Sequence, residues 1–405
     1  MQDKRETIYV IQPIETPEYK ILHTEIVALI ESAGADYAGT IYQNIRSVNP
    51  ATYIGEGKLE ELASRLSGLD VTVLFNGDLS PSQSLNISAA LGGKKVIDRT
   101  TLILDIFALR AVSSEGKIQV ELAQLKYLYP RLKGKGEALS RLGGGIGTRG
   151  PGETQLETDR RHIRTRIRAL EQKLSETEKR RALQTARRKK ERIKTIALVG
   201  YTNTGKSTLL NALTGANVLA QNALFATLDP TARTFEIEGV PFLLVDTVGF
   251  LQNLPHRLIE AFHSTLESAL NCDLALIVCD AAGEFDMQLK TTLDTLRELN
   301  FASPYLVVMN KSDLVNAREG FPKDFVQISA KNGTGLDTLK TAIMSALQNE
   351  FVRTKLFIPY EKTAQYGAIR NLLTESKVTY LDNGSEISAI IPAVYAERFR
   401  EFFIK

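Results

Sequence analysis

Several residue types that often define the class of a protein are scarce in this 405-residue chain. It has 2 cysteines, 4 histidines and no tryptophan. Two cysteines cannot form a disulfide scaffold, and Cys272 and Cys279 lie in or beside an apolar run where buried free thiols are expected. The histidines are scattered and form no metal-binding pattern. With 28 glycines and 13 prolines, a collagen-like chain is excluded as well.

Long apolar runs are also absent from the sequence. A membrane-spanning helix needs roughly 18 or more consecutive apolar residues, and no stretch approaches that length. The apolar run from Ile8 to Ile11 is too brief for a signal peptide. With 43% hydrophobic and 24% charged residues, the composition is typical of a soluble globular protein. We therefore expect a cytoplasmic protein that has no membrane partner.

The pattern of apolar residues divides the chain into four predicted parts. Residues 1–112 alternate between strands and helices, which predicts a small N-terminal α/β domain. Residues 113–194 predict a basic helical hairpin, whose tip is the glycine-rich stretch 142–152, where no regular structure is expected. Residues 195–350 predict a doubly wound parallel sheet, and residues 351–405 predict a small α+β module.

The individual elements are predicted from periodicity and from turn residues. In the first part, the predicted strands are Thr7–Ile11, Tyr37–Tyr42, Val71–Phe75 and Lys95–Ile97. The predicted helices of this part are Tyr19–Ser32, Gly57–Leu66 and Thr100–Ala111. In the third part, the predicted strands are Ile196–Val199, Phe242–Val245, Leu274–Val278, Tyr305–Met309 and Phe325–Ile328. In the last part, a strand, a helix over Lys362–Thr374, a hairpin around Asp382–Gly384 and a helix over Val394–Phe403 are predicted.

Positive charge is concentrated in one segment of the chain. The formal net charge is +3, yet Arg160–Lys194 alone contains fifteen Lys and Arg against four Glu. The rest of the chain is therefore net acidic. A solvated helix surface is the common meaning of such a charge run, whereas contact with folded RNA is the functional one. The chain before and within the predicted tip adds five more basic residues, which are Arg131, Lys133, Lys135, Arg141 and Arg149.

A phosphate-binding loop is predicted at Gly200–Ser207. The segment matches G-x-x-x-x-G-K-[ST], follows the predicted strand Ile196–Val199 and precedes a predicted helix. Its glycines let successive backbone N–H groups point at a phosphate chain, and the helix N-terminus adds partial positive charge. Lys206 would neutralise the β- and γ-phosphate oxygens, and the Ser207 hydroxyl would ligate Mg²⁺.

Three further polar segments follow predicted strands. Asp246–Gly249 offers a carboxylate that can hold Mg²⁺ through water and a Gly249 N–H for the γ-phosphate. Asn310–Asp313 offers a carboxylate, Asp313, that can accept from both N1–H and N2–H₂ of guanine, whereas adenine presents no such pair of donors. Ser329–Lys331 supplies another loop to the base. Together with the phosphate-binding loop, these segments predict a GTP site.

A polar loop between the first two segments occupies the place of a nucleotide-sensing switch. It comprises Phe225–Arg233 and contains two threonines whose hydroxyls could close on Mg²⁺ when the γ-phosphate is present. Of Thr227 and Thr231, we favour Thr227. The segment predicts a conformational change between the GTP and GDP states.

These motifs resemble those of the HflX family, translational GTP-binding proteins of the same broad group as TrmE, Era and Obg. The resemblance covers residues 1–350 and includes the N-terminal half, which other P-loop GTPases lack. It is carried by Gly200–Ser207, Phe225–Asp229, Asp246–Phe250, Leu254–Phe262, Asn310–Asp313, Asp98–Asp105, Val120–Leu125 and Gly150–Glu157. The resemblance implies GTP hydrolysis stimulated on the large ribosomal subunit and a role in separating stalled or idle ribosomes.

The predicted site contains the following residues. The nucleotide-binding set is Gly200, Tyr201, Thr202, Asn203, Thr204, Gly205, Lys206, Ser207, Phe225, Ala226, Thr227, Leu228, Asp229, Asp246, Thr247, Val248, Gly249, Asn310, Lys311, Ser312, Asp313, Ser329, Ala330 and Lys331. The catalytic residues are Lys206, Thr227 and Gly249, and the Mg²⁺ ligands are Ser207 and Thr227.

Two positions bear on the catalytic mechanism. Phe250 stands where Ras-like enzymes place the Gln that orients the attacking water, so intrinsic hydrolysis is expected to be slow. This departure is usual for the family that the chain resembles. Asn203 matches relatives in which that residue helps to hold a potassium ion beside the phosphates. An Asn203 that only hydrogen-bonds the loop to the switch is the equal alternative.

The sequence thus supports two classes of function. The first is a monomeric GTPase that docks on the large (50S) ribosomal subunit, with rRNA contacts through the basic arm, in ribosome splitting, rescue or biogenesis. The second is a stoichiometric RNA-binding assembly factor that guanine nucleotides regulate and that has little intrinsic catalysis. A membrane-associated GTPase is disfavoured because the basic segment lacks an apolar face with Trp or Phe.

Overall fold

The computed structural model describes residues 5–16, 19–140, 151–191, 193–216, 224–225, 231–252, 255, 258, 270–315 and 324–404. The chain forms two compact units, which are treated separately below. The first consists of Met1–Arg187, Gln221–Asp229 and Leu251–Leu266, and the second of Arg188–Ala220, Pro230–Phe250 and Glu267–Lys405. Among the described residues, no helix combines the length and the apolarity that crossing a membrane requires.

The first unit contains a four-stranded parallel sheet in the order β2-β1-β3-β4. Its strands are β1 (Thr7–Ile14), β2 (Asp36–Asn44), β3 (Thr72–Phe75) and β4 (Val96–Asp98). Its helices are α1 (Tyr19–Ser32), α2 (Glu56–Arg65), α3 (Pro81–Ala90) and α4 (Arg99–Arg110). All the predicted strands and helices of this part are confirmed, with the largest difference in β1, which runs three residues further than expected.

Helix α3 is the element that the sequence-based prediction missed in this unit. Its apolar positions are weakly periodic, because alanine and serine dominate the segment. Its start is nevertheless encoded locally, since Ser80 accepts from the Gln83 N–H while the Gln83 side chain accepts from the Ser80 N–H. Pro81 occupies the first helical position, where its missing N–H costs nothing. This capping box was the available signal.

A buried polar network crosses the carboxyl end of this sheet. Arg99, at the start of α4, is 4% exposed and forms an ion pair with Glu25 of α1. Its guanidinium also donates to the Asn76 Oδ1 at 3.1 Å and to the Gln252 carbonyl oxygen at 2.9 Å. Asn76 in turn donates to the Gln12 side chain at 2.7 Å. A buried charge is tolerated only with such compensation, so these partners must be present together.

The basic segment forms the predicted helical hairpin. Helix α5 (Ser114–Ser140) and helix α6 (Pro151–Glu191) pack side by side and are joined by the Glu121–Arg166 and Lys126–Glu171 ion pairs of 2.6 and 2.8 Å. Helix α6 is continuous over 41 residues.

The ends of the hairpin require one correction. The stretch 142–152 was expected to exclude regular structure, but α6 already begins at Pro151. Proline is compatible with the first turn of a helix, where its fixed φ is favourable. Residues 141–150, including Arg141 and Arg149, lie outside the described residues.

The second unit is built around a six-stranded sheet in the order β10-β9-β8-β5-β7-β6. All neighbouring strands are parallel except the pair β6–β7. The strands are β5 (Lys194–Val199), β6 (Thr231–Ile237), β7 (Val240–Asp246), β8 (Leu274–Asp280), β9 (Tyr305–Asn310) and β10 (Val326–Gln327). The five predicted strands are confirmed. The antiparallel edge strand β6 was missed, because its polar residues Thr231, Arg233 and Thr234 give it no continuous apolar run.

The core of this unit lies between the sheet and its helices. It contains buried residues of β5, β7 and β8, together with α7 (Lys206–Thr214) and the helix Leu336–Ala346. Cys272 and Cys279 are free and buried, as predicted, and burial raises the pKa of their thiols to about 11 and about 12. A thiol that stays protonated is a poor nucleophile, so these residues act as packing groups.

The last part forms a three-stranded antiparallel sheet in the order β11-β13-β12. Its strands are β11 (Phe351–Pro359), β12 (Thr374–Leu381) and β13 (Gly384–Pro392), so the predicted hairpin is confirmed. The helix predicted over Lys362–Thr374 is wrong at its end. It stops at Ile369, because Thr374 already pairs with Ile390 of the sheet. The final helix, Ala393–Phe402, is a 3₁₀ helix.

Candidate functional site

The loop between β5 and α7 has the backbone that a phosphate-binding loop requires. Gly200 and Gly205 adopt φ values of 147° and 89°, which favour glycine. Both glycines also allow a close approach, since a Cβ at Gly200 would lie 2.2 Å from the Val278 carbonyl oxygen. A Cβ at Gly205 would lie 2.3 Å from the Asn310 Nδ2. The loop therefore depends on these two glycines for its shape and for its neighbours.

Lys206 is a buried ammonium group at the start of α7. Its Nζ donates to the carbonyl oxygens of Gly200 at 3.2 Å and Tyr201 at 2.6 Å. Burial lowers the pKa of Lys206 to about 8, although the nearby Asp246 carboxylate acts in the opposite direction. An anion that enters the loop would stabilise the charged form of Lys206 and so offset the free-energy cost of burying its ammonium group.

Ser207 and Asp246 form a compact oxygen pair beside the same loop. The Ser207 hydroxyl donates to the Asp246 Oδ2 at 2.6 Å, and Asp246 is fully buried. A hydroxyl and a carboxylate are ligands that suit Mg²⁺, which prefers oxygen donors. Thr247, next along the chain, is also buried and donates to the Leu198 carbonyl oxygen at 2.7 Å. The predicted metal ligand Ser207 thus lies beside a second oxygen group of the kind that Mg²⁺ prefers.

Gly249 and Phe250 lie against the phosphate-binding loop. A Cβ at Gly249 would lie 2.7 Å from the Thr202 Cα and 2.9 Å from the Lys206 Nζ. The Phe250 N–H donates to the Gly200 carbonyl oxygen at 3.0 Å, and the Thr202 N–H donates to the Phe250 carbonyl oxygen at 2.8 Å. The Phe250 ring is 2% exposed. Its side chain therefore serves the core and has no polar group to direct a water molecule.

The predicted base-reading motif, Asn310–Asp313, is joined to the phosphate-binding loop by the Asn310 side chain. Its Nδ2 donates to the Thr204 carbonyl oxygen, and its Oδ1 accepts from the Ala330 N–H, both at 2.9 Å. The Ser329 hydroxyl donates to the Asp313 Oδ1 at 2.6 Å. Three loops that follow β5, β9 and β10 are thereby brought together, as the order of the motifs predicts. Ser312 and Lys331 belong to the same loops.

Lys311 connects the same loops through its ammonium group. Its Nζ donates to the Asn203 carbonyl oxygen at 2.9 Å and to the Asp280 Oδ2 at 2.6 Å. Asn203 and Lys311 both have positive φ, of 60° and 62°. The sequence-based prediction missed Asp280. The available signal was its position directly after the β8 run, at the same edge of the sheet as the other motifs.

The predicted switch segment is only partly within the described residues. Ala226, Thr227, Leu228 and Asp229 lie outside them. Phe225 is described and belongs to the first unit, where its buried ring packs against Phe107 with ring centroids 4.5 Å apart. The Leu224 N–H donates to the Ser32 hydroxyl at 3.1 Å. The Phe225 ring is thus committed to apolar packing, and its predicted role at a nucleotide rests on its backbone alone.

The lowered pKa of Lys206 predicts proton uptake when a polyphosphate binds. Phosphate oxygens stabilise the ammonium form and raise this pKa, so at pH ~9 binding takes up as much as about one proton. Near pH 6.5 Lys206 is protonated in both states and contributes none. Titration calorimetry in buffers of different ionisation enthalpy measures the number. Lys206→Arg, which stays charged, is the control, and a buffer-independent enthalpy for the unaltered protein at pH ~9 would contradict the prediction.

Comparison with known proteins is consistent with this site. Residues 22–108 match the model for "GTP-binding GTPase N-terminal", residues 110–188 the "GTP-binding GTPase Middle Region", and residues 195–311 the "50S ribosome-binding GTPase". A GTP-binding protein from Sulfolobus solfataricus, solved with GDP, is 27% identical and covers 85% of this chain and 99% of that one. Its TM-score is 0.45, so family membership rests on the sequence matches.

Two curated relatives carry the comparison further. The GTPase HflX of Caldanaerobacter subterraneus is 47% identical over 100% of this chain and 95% of that protein. The GTPase HflX of Escherichia coli is 42% identical over 83% of this chain and 81% of that protein. The matches extend through the N-terminal unit and the helical hairpin as well as the P-loop. This chain therefore belongs to the HflX family of GTPases.

Proposed function

We propose that this protein binds GTP and hydrolyses it on the large ribosomal subunit, in ribosome splitting, rescue or biogenesis. The observation that carries the nucleotide site is the buried Asn310 side chain, which joins the P-loop to the loop of Ser329 and Ala330. These loops follow parallel strands, and ligands of open α/β sheets bind at that edge. The ribosomal part of the proposal is supported by the family and by the charge of the helical hairpin.

Asp313 is proposed to read the guanine base. The Ser329 hydroxyl holds one of its carboxylate oxygens at 2.6 Å, which restricts the rotation of the side chain. A fixed carboxylate can accept from both N1–H and N2–H₂ of guanine, and it meets no matching donors on adenine. Discrimination of this polar kind arises because the wrong base leaves the carboxylate without matching donors.

The same geometry supports the proposed phosphate and metal roles. The P-loop backbone and Lys206 hold the β- and γ-phosphates, and the Gly249 N–H meets the γ-phosphate. Ser207 would ligate Mg²⁺ directly, and Asp246, whose Oδ2 accepts from the Ser207 hydroxyl at 2.6 Å, would hold it through water. When bound, Mg²⁺ would supply positive charge that offsets the negative charge developing on the phosphates during hydrolysis. Thr227 as a second ligand and potassium at Asn203 stay predictions.

Hydrolysis by the isolated protein is expected to be slow. Phe250 is buried and its backbone pairs with the P-loop, so this position supplies no group to orient water. A partner that orders the switch segments can supply the missing arrangement, as activators in trans do for other GTPases. The large ribosomal subunit is the partner that we propose.

The helical hairpin is proposed to contact ribosomal RNA. On helix α6, the exposed side chains include Arg161, Arg168 and Lys173. Arg160 and Arg164 lie over the Tyr129 ring, and Arg166 is paired with Glu121. The exposed charges are therefore available to phosphates. Neutralisation of phosphates releases counterions and gives an affinity that falls steeply with salt.

The base assignment predicts a change of specificity in Asp313→Asn. The amide presents a donor where guanine needs an acceptor, so GTP binding weakens, while xanthosine nucleotides are better accepted. Affinities for the two nucleotides, measured with fluorescent analogues, test this result. Asp337→Asn, on an exposed side chain of the same unit, is the matched control. GTP affinity unchanged in Asp313→Asn would refute the base assignment.

The catalytic proposal predicts slow turnover alone and a large rise with large ribosomal subunits. Comparable activation in other GTPases is worth ~10³–10⁵-fold. Phe250→Gln should gain little by itself, because a buried side chain is not directed at the nucleotide. Hydrolysis under single-turnover and multiple-turnover conditions, with and without subunits, measures both. Fast turnover of the free protein would overturn the mechanism, and activation limited to one turnover would favour the stoichiometric assembly factor.

The arm proposal predicts weaker ribosome binding when Arg161, Arg168 and Lys173 are replaced by Gln. The dependence on salt should flatten by roughly 0.7–0.9 in logarithmic slope for each phosphate that the arm no longer neutralises, with free GTP affinity unchanged. Co-sedimentation with large subunits over a salt series measures both effects. The control is the double variant of Glu121→Gln and Arg166→Gln, which alters the same hairpin but leaves its net charge unchanged. Equal slopes for both variants would mean that the arm is only a solvated surface.

A further inference from the structure

Asp280 has an arrangement that none of the nucleotide motifs explains. It ends strand β8 and lies opposite Asn310 in the parallel pair β8–β9. Both of its carboxylate oxygens are engaged, because Oδ1 accepts from the Ala282 N–H at 2.9 Å and Oδ2 accepts from the Lys311 Nζ at 2.6 Å. The side chain is 17% exposed. Asp280 is therefore placed at the edge of the proposed nucleotide site without belonging to a recognised motif.

The turn that carries Asp280 is supported from behind. The Asp280 N–H donates to the Gln288 Oε1 at 2.8 Å, and Gln288 is a buried residue of the helix Phe285–Glu298. A Cβ at Gly283 would lie 2.8 Å from the Gln288 Nε2 and 3.6 Å from the Asp280 Cβ. The turn thus fits closely around these side chains. This arrangement fixes the direction of the Asp280 carboxylate through contacts within the protein itself.

Lys311 is the residue that this carboxylate holds. Its backbone has a φ of 62°, in the left-handed region that non-glycine residues occupy at a cost. Its ammonium group lies between the Asp280 Oδ2 and the Asn203 carbonyl oxygen, which are 2.6 and 2.9 Å away. Asn203 belongs to the P-loop, and Lys311 precedes the base-reading Asp313 by two residues. The ammonium group therefore links the phosphate side of the site to the base side.

We propose that Asp280 is a positioning residue for nucleotide binding. Its carboxylate fixes the Lys311 ammonium against the P-loop, so that the loops on the two sides of the nucleotide are arranged before the ligand binds. Such preorganisation raises affinity by removing the entropic cost of ordering the loops on binding. The proposal rests on the guanine-nucleotide site described above. It assigns Asp280 no contact with the base, so its effect is the same for every base.

The variant Asp280→Asn tests this role most directly. The amide keeps an oxygen for the Ala282 N–H but removes the charge that holds Lys311. We expect about a tenfold rise in the dissociation constants of GDP and of inosine diphosphate alike, which corresponds to losing one charge-assisted hydrogen bond. The single-turnover hydrolysis rate at saturating GTP should be unchanged. Asp294→Asn, which alters an exposed ion pair with Arg297 on the neighbouring helix, should leave both affinities unchanged.

A double-mutant cycle with Lys311→Met separates positioning from general support of the fold. If Asp280 acts through Lys311, the double variant binds GDP about as weakly as either single variant, and the two effects do not multiply. If the effects multiply to about a hundredfold, Asp280 acts independently of Lys311 and the proposal is overturned. Asp280→Ser, whose hydroxyl can still accept from the Ala282 N–H, is the second variant should Asp280→Asn fail to fold.

The measurements distinguish a failure of the Asp280 positioning role from a failure of the Asp313 base assignment. Asp313→Asn changes the preference between guanine and xanthine nucleotides, whereas Asp280→Asn changes affinity without changing preference. Normal specificity in Asp313→Asn would refute the base-reading role, whatever the result for Asp280. Unaltered GDP affinity in Asp280→Asn, in a protein whose Asp313→Asn variant does change specificity, would refute the positioning role alone.

Discussion

The Asn310 side chain is the interaction on which the nucleotide site depends. It is buried, and both ends of its amide are used, one by the P-loop carbonyl of Thr204 and the other by the Ala330 N–H. Removal of this amide would leave two backbone groups without partners, which costs about 1–3 kcal/mol for each group. The position of the Asn310 amide also requires glycine at residue 205, because a Cβ on Gly205 would lie 2.3 Å from the Asn310 Nδ2. One residue thus sets the spacing of three loops.

The phosphate-binding loop holds its positive charge at a cost. Lys206 lies in a buried position where its pKa falls to about 8, and its hydrogen bonds go to the loop's own carbonyl oxygens. A polyphosphate relieves this cost, so part of the affinity comes from a group whose charge burial disfavours. Asp280 and Lys311 act on the other side of the site, where opposite charges already hold two loops together. A buried lysine with a lowered pKa and a paired lysine therefore lie in the same group of loops.

Arginine has two different physical roles in the first unit. Arg99 is buried, paired with Glu25 and surrounded by hydrogen-bond acceptors, so it fixes the packing of α1, α4 and the Gln252 carbonyl. Along α6, by contrast, Arg161 and Arg168 are exposed and belong to the strongly basic segment. Buried charge demands partners within the fold, whereas exposed charge is available to partners outside it. Arginine in this unit thus stabilises the fold where it is buried and stays accessible to solvent where it is exposed.

Local sequence determined most of the strands, the hairpin turn before Gly384 and the identity of the nucleotide motifs, because each depends on periodicity or on a few adjacent residues. It also contained the capping box of α3, which the weak apolar periodicity concealed. The edge strand β6 and the early end of the helix at Ile369 were decided by pairing with distant strands. Asp280 became meaningful only when parallel pairing placed it opposite Asn310, 30 residues along the chain, within reach of Lys311. Local sequence patterns identify the candidate residues, but hydrogen bonds between strands that are distant in sequence decide which of these residues come into contact.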